Sequence, residues 1–189
     1  MLVNSLYPFG LAVRWAKAES FVSLPANMKD WLLDTGSLTE RLQGLCTSFN
    51  VELLGQSVLP LSAAEKSILS RACHHAEQQT WQIREVILFG DGVPWVFARS
   101  ALPDAMCQSS LANIGTQPLG QRIFNDPQFV RSDFEIGQLE EHPLSHRSFA
   151  ASTSHQQRWA RRSVFSSGDD TVLVAEAFLP DCPCYEGAS

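Results

Sequence analysis

The sequence predicts an α+β fold, an antiparallel β-sheet flanked by helices. Two observations carry this. Segments 81–100 and 159–178 each hold two apolar-rich runs folded back at a turn signal. Two Ser-x-x-Glu boxes, at Ser37–Glu40 and Ser62–Glu65, mark helix starts between strand-like runs.

The elements follow in order. Residues 1–30 mix aromatic and polar side chains and read as an irregular lead-in. Asp30-Trp31-Leu32-Leu33 is a short helical turn, and Ser37 caps a second helix that begins at Leu38. Phe49 to Val58 is a strand. The Ser62 box, after Pro60, opens a helix running to about Ala76. Trp81, Ile83, Glu85, Ile87 and Phe89 then alternate with Gln82, Arg84, Val86 and Leu88. Asp91-Gly92 supplies the tight turn, and Pro94 to Ser100 is the return strand. Ser110 to Phe124 reads as two short helices separated by Gly115-Thr116-Gln117, the second starting at Pro118. Asp133 to Gly137 is a short strand, and the polar segment 138–158 is an exposed insertion. A second hairpin spans Trp159 to Phe178 and turns at Ser167-Gly168-Asp169-Asp170. Residues 181–189 form a tail, so the whole chain, 1–189, is read as a single domain.

Composition narrows the function. With 44% hydrophobic and 18% charged residues among 189, the chain can bury a core and is not a disordered polymer. A net charge of −6 without a Lys/Arg run argues against nucleic acid, and an anionic ligand would need a local positive site. No apolar run is long enough for a membrane span and the N-terminus lacks a signal-peptide pattern, so a cytoplasmic protein is expected. Five cysteines, an odd number, fit reduced thiols. Cys182-Pro183-Cys184 has no second Cys or His pair at zinc spacing, so no metal is expected. His74 and His75 fall near a helix end; His142, His146 and His155 fall in the polar insertion without metal spacing.

The charges in the strands point to a site. If Asp91-Gly92 is a two-residue turn, Leu88 faces Trp95, Val86 faces Phe97, and Arg84 faces Arg99. Like charges opposed on a buried face are unfavourable, so a negative group should lie beside them. Glu176, which shares its strand face with Val172, Val174 and Phe178, is the candidate. Two readings stay open: a structural Arg–Glu ion pair, or a site in which one arginine is left for a ligand carboxylate, which its planar fork suits. Helix starts at Leu38 and Leu119 could add backbone N–H donors. Arg161 and Arg162 read as a small anion patch or as ordinary charge at a strand edge.

Six segments in order complete the reading. They are Trp81-Gln82-Ile83-Arg84-Glu85-Val86, Asp91-Gly92-Val93-Pro94-Trp95, Gln117-Pro118-Leu119-Gly120, Phe134-Glu135-Ile136-Gly137, Trp159-Ala160-Arg161-Arg162-Ser163 and Glu176-Ala177-Phe178-Leu179-Pro180. Together they resemble the chorismate pyruvate-lyase family from about Trp31 to Pro180. The resemblance implies a ligand buried beneath helical flaps. It implies conversion of chorismate to 4-hydroxybenzoate and pyruvate for ubiquinone synthesis, without a cofactor, by a monomer that its product inhibits. By the same resemblance Arg84 grips the ring carboxylate and Glu176 meets the 4-hydroxyl, these two being the catalytic candidates. Leu38 and Leu119 line the site and donate backbone N–H groups, and Arg99 is a second arginine near the substrate. Leu38 stands where the family often has Met, a change that backbone binding should tolerate. The insertion at 138–158 is longer than the resemblance leads one to expect. The alternative is the effector-binding domain of related bacterial regulators, which binds a ligand without reacting it. About 30 residues precede the first matched segment, too few for the DNA-binding domain that normally accompanies it.

Overall fold

A computed structural model describes residues 7–21, 24–112, 114–115, 117–140, 143 and 158–185. Eight strands form one antiparallel sheet: β1 (Ala16–Lys17), β2 (Phe49–Val58), β3 (Trp81–Gly90), β4 (Val93–Pro103), β5 (Val130–Arg131), β6 (Glu135–Gln138), β7 (Trp159–Ser167) and β8 (Asp170–Phe178). Their order is β1-β6-β7-β8-β4-β3-β2, with β5 also paired to β7. Among the described residues five α-helices accompany them: α1 (Ala26–Leu32), α2 (Leu38–Gln43), α3 (Ala63–Ala72), α4 (Asp104–Gln108) and α5 (Leu119–Phe124). The α+β fold is as the sequence predicts.

Local chemistry explains the element ends. The Ser37 hydroxyl accepts the Glu40 N–H at the start of α2. Ser62 and Glu65 form a reciprocal capping box at α3. That helix stops at Ala72, not Ala76, because Cys73 turns extended. The first helix expected after Ser110 lies earlier, at Asp104–Gln108, directly after Pro103, a residue that suits a helix entry. The lead-in is more ordered than expected: Ala16 and Lys17 pair with Ile136 and Glu135, and residues 9–15 pack against the sheet. The expected tail is also part of the core, with Cys182 and Cys184 buried. Of the insertion, Gln138 ends β6 and the Leu139 N–H donates to the Arg158 carbonyl; residues 141–142 and 144–157, with His142, His146 and His155, lie outside the described residues.

The register of the first hairpin corrects one expectation. Asp91 and Gly92 adopt positive φ (49° and 79°), as a type I′ turn requires, and Gly90 faces Val93. Phe89 then faces Pro94, but Leu88 faces Val96, so Trp95 is a bulge. Its indole lies over Gly90, where any Cβ would come within 2.1 Å of the ring. Beyond the bulge Arg84 faces Ser100 and Arg99 faces Glu85. The two arginines are therefore not opposed; they point to opposite faces of the sheet.

The faces differ in how charge is handled. On one, beneath α3 and the N-terminal segment, Arg99 donates to Glu65 (2.7 Å) and Glu85 (2.6 Å). Glu85 also accepts the N–H groups of Phe9 and Gly10. Arg162 on the same face pairs with Glu135 (2.6 Å). Burial pushes the Glu65 carboxyl up, but the hydrogen bond and charge of Arg99 outweigh it and hold the pKa below the usual carboxylate value. A carboxylate with a depressed pKa stabilises the fold above its unfolded value of about 4.3, and that contribution is lost as pH falls through the folded value. Urea titrations between neutral pH and pH 3 should therefore show stability falling below about pH 4.3. The fall should be shallower in Glu65→Gln, with Glu135 and Asp34, whose pKa values are also lowered, supplying the remainder; an identical pH profile in the variant would remove Glu65 from this role.

Candidate active site

The opposite face carries α1, α2, α4 and α5. Two apolar clusters cover its ends, one around Trp31, Leu42, Trp95 and Phe178, the other around Leu102, Met106, Leu119 and Phe165. Between them lies a polar band. Register places Gln56, Arg84, Ser100 and Val174 side by side across β2, β3, β4 and β8, with Ser163 next on β7. Glu176 sits two residues along β8, beside Ala98 and opposite Arg161. Two strand spacings and two residues put the Arg84 and Glu176 Cα atoms about 12 Å apart.

Arg84 is 2% exposed. Its guanidinium donates to Gln56 Oε1 (3.2 Å) and to the Gln117 carbonyl (3.2 Å) at the turn into α5. Gln56 in turn donates to Gln82, and Gln82 to Asp104. This chain of amides orients the arginine without neutralising it: among the described residues no carboxylate reaches Arg84. Burial pushes its pKa down to about 10, so the group stays charged at neutral pH. Buried cations are ordinarily paired, and one held by neutral acceptors is poised for an anion.

Glu176 accepts from Arg161 Nε (2.7 Å) through Oε2; among the described residues Oε1 takes no hydrogen bond. Arg161, itself 2% exposed, also donates to the carbonyls of Trp31 and Asp34, tying the end of α1 to the sheet. Above this pair lies a small pocket of about 30 Å³, lined among others by Leu38, Thr39, Gly120, Arg131, Arg161 and Glu176. It holds about one water molecule. Leu38 and Leu119 are the first residues of α2 and α5, whose leading N–H groups have no acceptor within their own helix. A larger groove of about 990 Å³ runs along β2 past Leu53, Cys107 and Leu111. It meets the charged band through Gln56 and Gln82 and is mainly apolar.

Residues 11–188 match the sequence pattern of the family described as chorismate lyase. The chain belongs to the chorismate lyase family. Among curated relatives, the "Probable chorismate pyruvate-lyase" of Pseudoalteromonas atlantica is 38% identical over 188 residues, covering 99% of this chain and 96% of the relative. That of Shewanella loihica is 36% identical over 180 residues, covering 92% and 91%. Among solved structures, the effector domain of PhnF from Mycobacterium smegmatis superposes with a TM-score of 0.56 at 16% identity, over 79% of this chain and 91% of that one. This second likeness concerns the fold alone.

Of the family positions expected at the site, Arg84, Glu176, Leu38 and Leu119 lie on one face. Arg99 lies on the other, in its ion pairs with Glu65 and Glu85. Arg161 is the partner of Glu176 that sequence reading passed over. The signal was present: Ser167 pairs with Asp170 across the second turn, and counting back from that pair gives Arg161 opposite Glu176.

The contrast between the two arginines is measurable. Arg161→Met breaks a buried pair and should cost about 3–5 kcal/mol of unfolding free energy. Arg84→Met removes an unneutralised buried charge and should leave stability unchanged or raise it by about 1 kcal/mol. If Arg84→Met destabilises as much as Arg161→Met in urea unfolding, Arg84 is structural.

Proposed function

We propose that this protein removes pyruvate from chorismate to give 4-hydroxybenzoate, an early step in ubiquinone synthesis, and that it does so without a cofactor. The observation that carries the reading is Arg84, a buried cation with no carboxylate partner among the described residues, on the same sheet face as Glu176. Membership of the chorismate lyase family supplies the substrate. Free cysteines at all five positions suit the cytoplasm, and the expected working unit is a monomer.

The reaction breaks the C3–O bond of the enolpyruvyl ether and removes the hydrogen at C4. The ring becomes aromatic, and the enolpyruvate takes up a proton to leave as pyruvate. Electrons balance without an oxidant or reductant. Orientation and charge stabilisation are what the protein must provide. Arg84 anchors the ring carboxylate, with the N–H groups of Leu38 and Leu119 alongside. Glu176, held by Arg161 through one oxygen, offers the other to the 4-hydroxyl and is the catalytic group best placed to handle a proton.

A cavity of about 30 Å³ cannot hold a six-membered ring. Helices α2 and α5, which both line this pocket, are the elements we assign as the flaps that part for the substrate, and their closure over the product makes its release slow. Purified protein mixed with chorismate, without metal or cofactor, should form 4-hydroxybenzoate, followed by absorbance. Added 4-hydroxybenzoate should inhibit. Arg84→Ala should weaken 4-hydroxybenzoate binding by about 1.5–3 kcal/mol, the scale of charge-assisted hydrogen bonds. Tight product binding with no turnover would instead favour the effector-domain reading, to which the PhnF likeness points.

A further inference from the structure

Arg131 lines the same cavity as Glu176 and stands outside the mechanism above. It belongs to β5, where it pairs with Phe165 of β7. Its guanidinium lies 4.5 Å from the centre of the Phe134 ring and 5.9 Å from those of Phe124 and Phe165. One N–H donates to the Thr35 carbonyl (2.9 Å). Among the described residues it has no ion pair. Aromatic faces and a carbonyl hold a guanidinium in place but leave its charge uncancelled.

The nearby acids are committed. Glu176 is paired with Arg161 through one oxygen, and Asp34 with Arg41 (2.8 Å) and the Gly36 N–H. Burial, followed by the charge of Arg161, holds the Arg131 pKa below the usual guanidinium value. Among the described residues the band thus has a cation without an ion pair at each end, Arg84 buried and Arg131 half-buried. Two such cations match a dianion. If the ring carboxylate is at Arg84 and the 4-hydroxyl at Glu176, the C3 ether beside C4 extends from the Glu176 end, where Arg131 stands.

We propose that Arg131 binds the second carboxylate of chorismate, the one on the enolpyruvyl ether, and so distinguishes the substrate from the product, which lacks it. This rests on the lyase reading. The interaction is retained as the C3–O bond breaks, because the carboxylate departs with the enolpyruvate, and it helps to hold the charge that develops there.

The test compares one ligand that has this carboxylate with one that does not. In Arg131→Met, whose stem still packs on the rings, kcat/KM for chorismate should fall about tenfold or more, the scale of one charge-assisted contact. The Kd for 4-hydroxybenzoate should stay within about twofold, which also shows that the variant is folded. Arg131→Lys should recover part of the loss. Arg84→Ala, by contrast, should weaken both ligands. Equal loss for both ligands in Arg131→Met, or no loss for either, overturns the proposal. If Arg131→Met does not fold, Arg131→Lys is judged by the same ratio. If the wild-type protein binds chorismate without converting it, the lyase reading fails, and the ratio of the two Kd values decides the role of Arg131.

Discussion

Between Pro94 and Val96 the β3–β4 ladder carries one extra residue, Trp95, whose indole folds over the bare Cα of Gly90. A sheet has a period of two, so one extra residue exchanges the faces of everything beyond it. Without the bulge, Arg99 would share a buried face with Arg84, two cations competing for one set of acceptors. With it, Arg99 goes to the α3 face and is neutralised by Glu65 and Glu85. Arg84 stays beneath α5 among amides. The glycine at position 90 is a steric condition of that separation.

Each face then solves burial of charge differently. Under α3 the cations are matched by carboxylates, and the carboxylates also accept backbone N–H groups from the N-terminal segment and from the α3 cap. That face holds the chain together. On the other face Arg161 and Arg41 have carboxylate partners, while among the described residues Arg84 and Arg131 are held by neutral groups. A charge as deeply buried as Arg84, without an ion pair among the described residues, is unfavourable in itself. Its presence there is the clearest physical mark of a binding site in the molecule.

Much of this was legible in the sequence. Phe49–Val58, the Asp91-Gly92 turn, the second hairpin and the Ser62 cap all declare themselves through local chemistry. The bulge did not, because Leu88, Trp95, Val96 and Phe97 are apolar in either register, and pattern alone cannot tell which is in step. Strands β1 and β5 are two residues long, too short to show any period. The site was half legible. Arg84 and Glu176 stood out as charges in apolar strands, whereas Arg161 was obscured by its neighbour Arg162, since adjacent residues in a strand serve opposite faces. Arg131 owes its place to long-range packing against Phe124, Phe134 and Phe165, which no local window contains.

The Leu139–Arg158 hydrogen bond closes the mouth of the β6–β7 connection, and Val13 bridges to Leu139 beside it. The sheet is therefore complete before the chain sets out from Glu140, and the register of both strands is independent of how many residues the excursion contains. Lengthening such a loop costs only about 0.6 kcal/mol per doubling. The pairing of β6 with β7 is thus anchored at Leu139 and Arg158, at the point where the two strands part, whatever number of residues joins them.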